Sequence, residues 1–288
     1  MIKSVFTCFS FWLIISLVFT NQVYGYATII SVTVYAPSQV KVGEEVPVQA
    51  EICTGNNRVE YVHDVKALLV LPPNVNLTSG SNPFFIGEMG PGPAVVWLRD
   101  WTMIFEQPGT YILLINASCM DTQHLPCWMT NSTTVEVYDY PHVEFDYTPR
   151  TEAYVNQTIT FNATKSFAQG PGREIVCYQW NFGDETNVTS DIPIAIHEYK
   201  TTGNFQISLK TTDNRGLSSI TTANITVNLF GDLNSDGTVN IQDILIVAYS
   251  YGSNPEDERW NSKADINHDG IIDIIDVVLV AREFGKKA

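Results

Sequence analysis

The pattern of apolar and polar positions divides the chain into a long strand-like part and a short helical end. From residue 26 to about 138, runs of six to eleven residues are apolar or alternate with polar ones. They are Ile29–Tyr35, Val46–Cys53, Val65–Leu71, Val95–Phe105, Thr110–Ala117 and Thr133–Tyr138. Turn-forming clusters separate them: Pro37-Ser38, Lys41–Glu44, Thr54–Asn57, Pro72-Pro73, Gly90–Pro93 and Gln107–Gly109. A period of two marks a half-buried strand, and six or seven short strands with regular punctuation predict an antiparallel β-sandwich over residues 26–140.

A second strand-rich stretch covers about 141–229. In Tyr178-Gln179-Trp180-Asn181-Phe182-Gly183-Asp184 three aromatic residues alternate onto one face, which should fill a core. Gly183 and Asp184 then supply turn chemistry, and His197-Glu198-Tyr199 and GNFQISLKTTDNRG follow. This stretch resembles a PKD domain, a compact β-sandwich that serves as a spacer or partner-contact surface. Glu185 stands where that family's motif has its last glycine. Phrases of the first stretch such as VKALLVLPPNV and PGTYILLI resemble immunoglobulin-like repeats of surface-layer and adhesion proteins. That likeness implies a fold and no ligand.

Past Val227 the period changes. GDLNSDGTVNIQD runs into the apolar segment Ile241–Tyr251, and ADINHDGIIDIID runs into Ile274–Phe284, each stopped by a glycine, Gly252 or Gly285. The two halves superpose at an offset of 33 residues, with Asp232, Asn234, Asp236, Gly237, Asn240 and Asp243 falling on Asp265, Asn267, Asp269, Gly270, Asp273 and Asp276. Oxygen ligands at loop positions 1, 3, 5, 9 and 12, with glycine at 6, form a Ca²⁺-loop pattern. Position 7 offers a main-chain carbonyl, from Thr238 and Ile271. A strand pattern precedes the first loop, so the unit is loop-then-helix, twice. It resembles a dockerin of the duplicated calcium-binding form. The resemblance implies a small all-α module around two Ca²⁺ ions that docks into a cohesin module. Many type I dockerins carry Ser-Thr at loop positions 10 and 11 as the main contact. Here Ile241-Gln242 and Ile274-Ile275 occupy those places and are the expected partner-binding residues.

Composition narrows the setting. A net charge of −15 excludes nucleic acid, which needs a basic stripe. Lys3, the apolar run Phe6–Phe19 and Val23-Tyr24-Gly25 read as a secretory signal over residues 1–25, an uncleaved anchor being the other reading. The run is shorter than the ~20 residues a membrane helix needs. Beyond it stand Cys53, Cys119, Cys127 and Cys177. In an immunoglobulin-like order the first three fall at one end of the sandwich. One disulfide is expected among them, involving Cys119, with Cys177 free. Asn-x-Ser/Thr sequons at Asn76, Asn116, Asn131, Asn156, Asn162, Asn187 and Asn224 read either as a glycosylated surface or as a by-product of Thr-rich strands. None lies in the C-terminal repeat.

No catalytic constellation emerges. His63, His124, His142, His197 and His268 have no zinc spacing, and neither a G-x-S-x-G elbow nor a P-loop occurs. Glu88, Asp100 and Glu106 have no pattern that fixes a shared cleft. Trp97, Trp101 and Trp128, with Phe84, Phe85 and Phe105, offer either core or a platform for sugar rings. The fold expected is mainly β: two tandem immunoglobulin-like β-sandwiches (26–140 and 141–229) and a small α-helical calcium-binding module (230–288). The expected function is a secreted or cell-surface, non-catalytic assembly protein that docks to a cohesin-type partner. The alternative is a carbohydrate-binding accessory protein of a polysaccharide-degrading complex.

Overall fold

The computed structural model describes residues 29–55, 61–90, 94–121, 123–150 and 152–288, without the side chains of residues 30, 97, 99 and 100. The signal expected over residues 1–25 lies outside the described residues. Two compact units form. One comprises residues up to Asp139 with Gln169–Arg173, the other Tyr140–Ala168 with Glu174–Ala288. The fold is mainly β, with two short helices at the C-terminal end.

The first unit contains β1 (Ile29–Tyr35), β2 (Gln39–Lys41), β3 (Glu45–Thr54), β4 (Val62–Val70), β5 (Val75–Ser79), β6 (Phe84–Met89), β7 (Val95–Phe105), β8 (Gly109–Met120) and β9 (Pro126–His142, whose last residues pass into the second unit). One sheet runs β1-β3-β7-β5. The other runs β9-β8-β4-β6, with β2 parallel on β9. Each strand turns alternate residues inward, as β3 shows with Val46, Val48, Ala50 and Ile52 all buried. These meet Leu113, Ile115 and Ala117 of β8 and Val135 and Val137 of β9 in one core. Side chains of two facing sheets filling a shared layer are what define a sandwich.

Along β7 the alternation is interrupted. The pairing of β3 with β7 shifts register between Val48↔Trp101 and Ala50↔Leu98. Leu98 and Trp101, three residues apart, are therefore both buried, with Met103 and Phe105 continuing the inward face. Trp101 Nε1 donates to Ser81 O at 2.9 Å, which satisfies its polar edge inside the core. This corrects the expected sugar platform in part. Trp101 and Phe105 are core residues and Phe84 packs against the core, while the Trp97 side chain lies outside those described.

In the second unit the strands are β10 (Asp146–Thr148), β11 (Ala153–Tyr154), β12 (Ile159–Asn162), β13 (Phe167–Gln169, whose last residue belongs to the first unit), β14 (Ile175–Asn181), β15 (Asn187–Ser190), β16 (Ile194–His197), β17 (Gly203–Asp213) and β18 (Ser218–Asn228). The sheets are β10-β12-β16 and β11-β18-β17-β14-β15. Tyr178, Trp180 and Phe182 all point into the core, where the Phe161 ring lies 5.8 Å from Trp180 and 5.1 Å from Phe182. Gly183 has φ +83°, and a Cβ there would lie 2.6 Å from Gln206 O, so glycine alone fits. Glu185 keeps the left-handed turn at φ +72°, the conformation the replaced glycine would have taken freely.

The helical end belongs to the same unit. It consists of α1 (Ile241–Tyr249) and α2 (Ile274–Arg282), which share a small core of Leu229, Val239, Val247, Ala264, Ile272 and Val280. Phe230, at the exit from β18, meets Tyr154 edge-on at 5.0 Å. Among the described residues no helix is long and apolar enough to cross a membrane.

Candidate metal loops and docking face

The two loops share their main-chain hydrogen bonds to the carboxylates. In the first, Asp232 Oδ1 accepts from Asp236 N and Oδ2 from Gly237 N, at 3.1 and 2.8 Å. In the second, Asp265 accepts from Asp269 N and Gly270 N at 3.2 and 3.0 Å. Asn234 and Asn267 each donate Nδ2 to the carboxylate two residues on, Asp236 or Asp269. Gly237 and Gly270 sit at φ +84° and +83°, a left-handed turn that glycine takes without strain. Ser235 and His268, at loop position 4, share the same left-handed conformation.

The last loop residues are the most buried. Asp243 and Asp276 are fully enclosed, and each accepts three main-chain N–H groups. Asp243 takes those of Leu233, Asn234 and Asn240, and Asp276 those of Ile266, Asn267 and Asp273. The same contacts make capping boxes. Asn240 and Asp273 are the N-caps of α1 and α2, and Asp243 and Asp276 reach back to the cap backbone. Each loop is thus tied to the start of its helix by one carboxylate, which also suits the positive end of the helix dipole.

Cross-links join the repeats. Val239 N donates to Lys286 O and Gly285 N to Val239 O, after α2. In the matching place Ile272 N donates to Ser253 O and Gly252 N to Ile272 O, after α1. Each loop is therefore closed by the segment that follows the other helix.

The donor set fits a hard divalent cation. Loop 1 gathers three carboxylates, two amides and the Thr238 carbonyl, whereas loop 2 gathers four carboxylates, one amide and the Ile271 carbonyl. Buried carboxylates need a compensating charge. Among the described residues none of these carboxylates pairs with a Lys, Arg or His. Asp236, held by hydrogen bonds from Thr238 Oγ1 and Asn234, keeps its carboxyl below the usual range and so stays anionic. No cluster of three His, Cys, Asp or Glu side chains forms among the described residues. In each loop, amide and main-chain oxygens lie between the carboxylates in sequence.

The helices carry apolar residues on two faces. Val247 and Val280 are buried in the shared core. On the opposite side of α1, Ile241, Leu245 and Tyr249 recur every four residues and are 57%, 59% and 76% exposed. On α2, Ile274 and Val278 are 58% and 49% exposed, with Ile275 beside them. Gln242 is also exposed. The expected partner-binding residues Ile241, Gln242, Ile274 and Ile275 are all exposed, and Leu245, Tyr249 and Val278, which the loop-position pattern does not single out, are exposed beside them. The signal was present, because a helix apolar all round has a second face to cover.

The remaining candidates fall elsewhere. Cys119 and Cys127 form a disulfide across β8 and β9, while Cys53, directed at Glu51, and Cys177 are free. Of the sequon residues, Asn131 donates its amide to Val32 O and Asn76 donates to Glu106, whereas Asn162, Asn187 and Asn224 are exposed. Asn156 is exposed as well, and Asn116 is half-buried. Glu88 pairs with His63 at 3.0 Å, the Glu106 carboxylate is the acceptor of that Asn76 bond, and the Asp100 side chain lies outside those described.

Known proteins match both C-terminal parts. Residues 140–228 match the family model of the PKD domain, and residues 230–285 that of the dockerin type I domain. The chain thus carries a PKD domain followed by a dockerin type I domain, and dockerins of that type bind calcium. A microbial collagenase from Vibrio alginolyticus is 31% identical over 84 residues, which are 29% of this chain. The chain spans about a tenth of that relative's length. A solved structure of carbohydrate-binding modules from the β-sandwich superfamily is 32% identical, with a TM-score of 0.32, covering 36% of this chain and 40% of that one. A type II cohesin–X–dockerin complex from Acetivibrio cellulolyticus gives 19% identity and a TM-score of 0.21, over 38% of this chain and 81% of that one.

Proposed function

We propose that this is a secreted, non-catalytic assembly protein that docks to a cohesin module through residues 230–288 when its two loops hold Ca²⁺. One observation carries the reading: the exposed apolar stripe Ile241-Leu245-Tyr249, repeated in part by Ile274 and Val278, on helices whose other face is already buried. Apolar side chains left in water at that density call for a covering surface. The dockerin match supplies the kind of partner.

In this reading Asp232, Asn234, Asp236, Thr238, Asn240 and Asp243 hold one ion, and Asp265, Asn267, Asp269, Ile271, Asp273 and Asp276 the other. Bound calcium neutralises the carboxylates of each loop. The chain's own part is to join loop and helix through Asp243 and Asp276, which sets the first helical residues Ile241 and Ile274 at the docking face. The two sandwiches act as spacer and surface, outside the cell, where PKD and dockerin modules are typical.

Capture on a panel of immobilised type I cohesin modules tests it. The protein should be retained in calcium and released by chelator. Retention by no member of the panel, or retention indifferent to chelator, contradicts the proposal. A second reading, a carbohydrate-binding accessory role, is favoured by two exposed aromatic residues of the first sandwich, Phe85 and Trp128.

A further inference from the structure

The outer face of the sheet β9-β8-β4-β6 carries one register row with an aromatic residue at each end. Phe85 of β6 stands opposite Lys66 of β4, Lys66 opposite Ser118 of β8, and Ser118 opposite Trp128 of β9. Their inward neighbours Val65, Ala67 and Ala117 are core residues, so the row itself faces out. Three interstrand spacings of about 4.8 Å place the β6 and β9 backbones roughly 14 Å apart along it. Phe85 is 74% and Trp128 73% exposed, the largest exposures of any Phe or Trp described.

The row is not flat. Phe85, Lys66, Ser118 and Trp128 line a cleft of about 420 Å³ together with Asp64 and Met120. That volume lies within the ~300–1,000 Å³ usual for small-ligand sites, which combine aromatic walls with a few polar groups. The neighbouring pair Cys119 and Cys127 lies directly across the strands beside Ser118 and Trp128, and it is disulfide-bonded. The crosslink holds the β8–β9 hairpin in register where Trp128 projects, which lowers the ordering cost of binding there.

Charge decides the class of ligand. The chain carries −15 overall, yet Lys66 sits at the centre of the cleft with no ion-pair partner among the described residues. An aromatic ring offers its face to the C–H side of a pyranose, hydroxyl groups suit Ser118 and Asp64, and a lone ammonium suits a carboxylate. We infer that this cleft binds a short oligosaccharide of pyranose rings that includes a uronic acid, with Phe85 and Trp128 stacking on rings and Lys66 taking the carboxylate. The inference rests on the second functional reading, that of a carbohydrate-binding accessory, and is independent of cohesin docking.

The test is titration of the full chain with two sets of hexasaccharides. One set is neutral (β-1,4-linked glucose, xylose and mannose), the other acidic (oligogalacturonate and oligomannuronate). The wild type should bind an acidic member. Phe85→Ala and Trp128→Ala should each weaken that binding at least tenfold, and Lys66→Gln should abolish the preference for acidic over neutral chains. Both aromatic side chains are exposed, so melting temperature should stay unchanged and a loss of binding reads as loss of contact. Failure of the wild type to bind any of these glycans overturns both the site and the carbohydrate reading. Binding that survives both aromatic substitutions overturns this site and leaves that reading standing at another surface. Concentration-dependent self-association lost in Trp128→Ala, without glycan binding, makes the cleft a protein contact and overturns the inference.

Discussion

Asp243 and Asp276 each satisfy three backbone N–H groups while fully enclosed, so they organise loop and helix at once. The two first-position carboxylates differ from one another. Asp265 is buried and belongs to a loop with four carboxylates, whereas Asp232 is half-buried in a loop with three. More charge and a more enclosed ligand favour tighter calcium binding in the second loop. Asp265→Ala should therefore cost more calcium affinity than Asp232→Ala, read by calorimetric titration of each variant. Equal losses, or the reverse order, would contradict the ligand assignment. Most of these residues were legible in the chain because the pattern is local: twelve positions in a row, repeated once. The Ile241–Tyr249 stripe was only half legible, since periodicity shows that a helix is apolar on two faces but not which face the core takes.

Among the elements, β14 and β16 lie in different sheets of the second sandwich, and one pair of side chains joins their ends. Asp184 follows β14 and meets His197, the last residue of β16, at 2.7 Å, with the His197 ring stacked on Phe182 at 4.2 Å. Burial pushes the Asp184 carboxyl up, but hydrogen bonds from Thr186 and His197 outweigh it and hold the group below its usual value. A carboxylate with a lowered folded pKa stabilises above its unfolded pKa and loses that contribution as pH falls through the folded one. Asp184→Asn should thus cost about 1.5–3 kcal/mol at pH 7, the worth of hydrogen bonds to a charged group. The gap in melting temperature from the wild type should narrow below about pH 4, where the carboxyl of the unfolded chain begins to protonate while the folded one, held lower, follows at more acid pH. A gap of constant size from pH 7 to pH 3 would exclude this role. The sequence marked Asp184 and His197 as turn and core features without showing that they meet, because their pairing is set by sheets that only the tertiary fold brings together. The register shift in β7 escaped for the same reason. Strict alternation puts Leu98 and Trp101 on opposite faces, and a bulge is specified by the partner strand as much as by the strand itself. Short elements such as β2, β5 and β6 have too few residues to show a period.

At the scale of the whole molecule, two compact units divide the work. The first presents an outer sheet face with an aromatic cleft, and the second joins a sandwich to a helical module with its own small core. The fold class could be read from the chain because strand alternation and turn clusters recur at short spacing throughout. The cleft could not, since Phe85 and Trp128 are 43 positions apart and only the strand order aligns them. The central claim is that calcium loops hold an exposed apolar stripe in place for a cohesin partner. It is tested most directly by calorimetric titration of a cohesin that captures the wild type against the Ile241→Ser/Ile274→Ser double variant in saturating calcium. The account predicts a loss of at least tenfold in cohesin affinity with calcium stoichiometry unchanged. Wild-type affinity in that variant would show that the stripe is not the docking face, and the claim would fall.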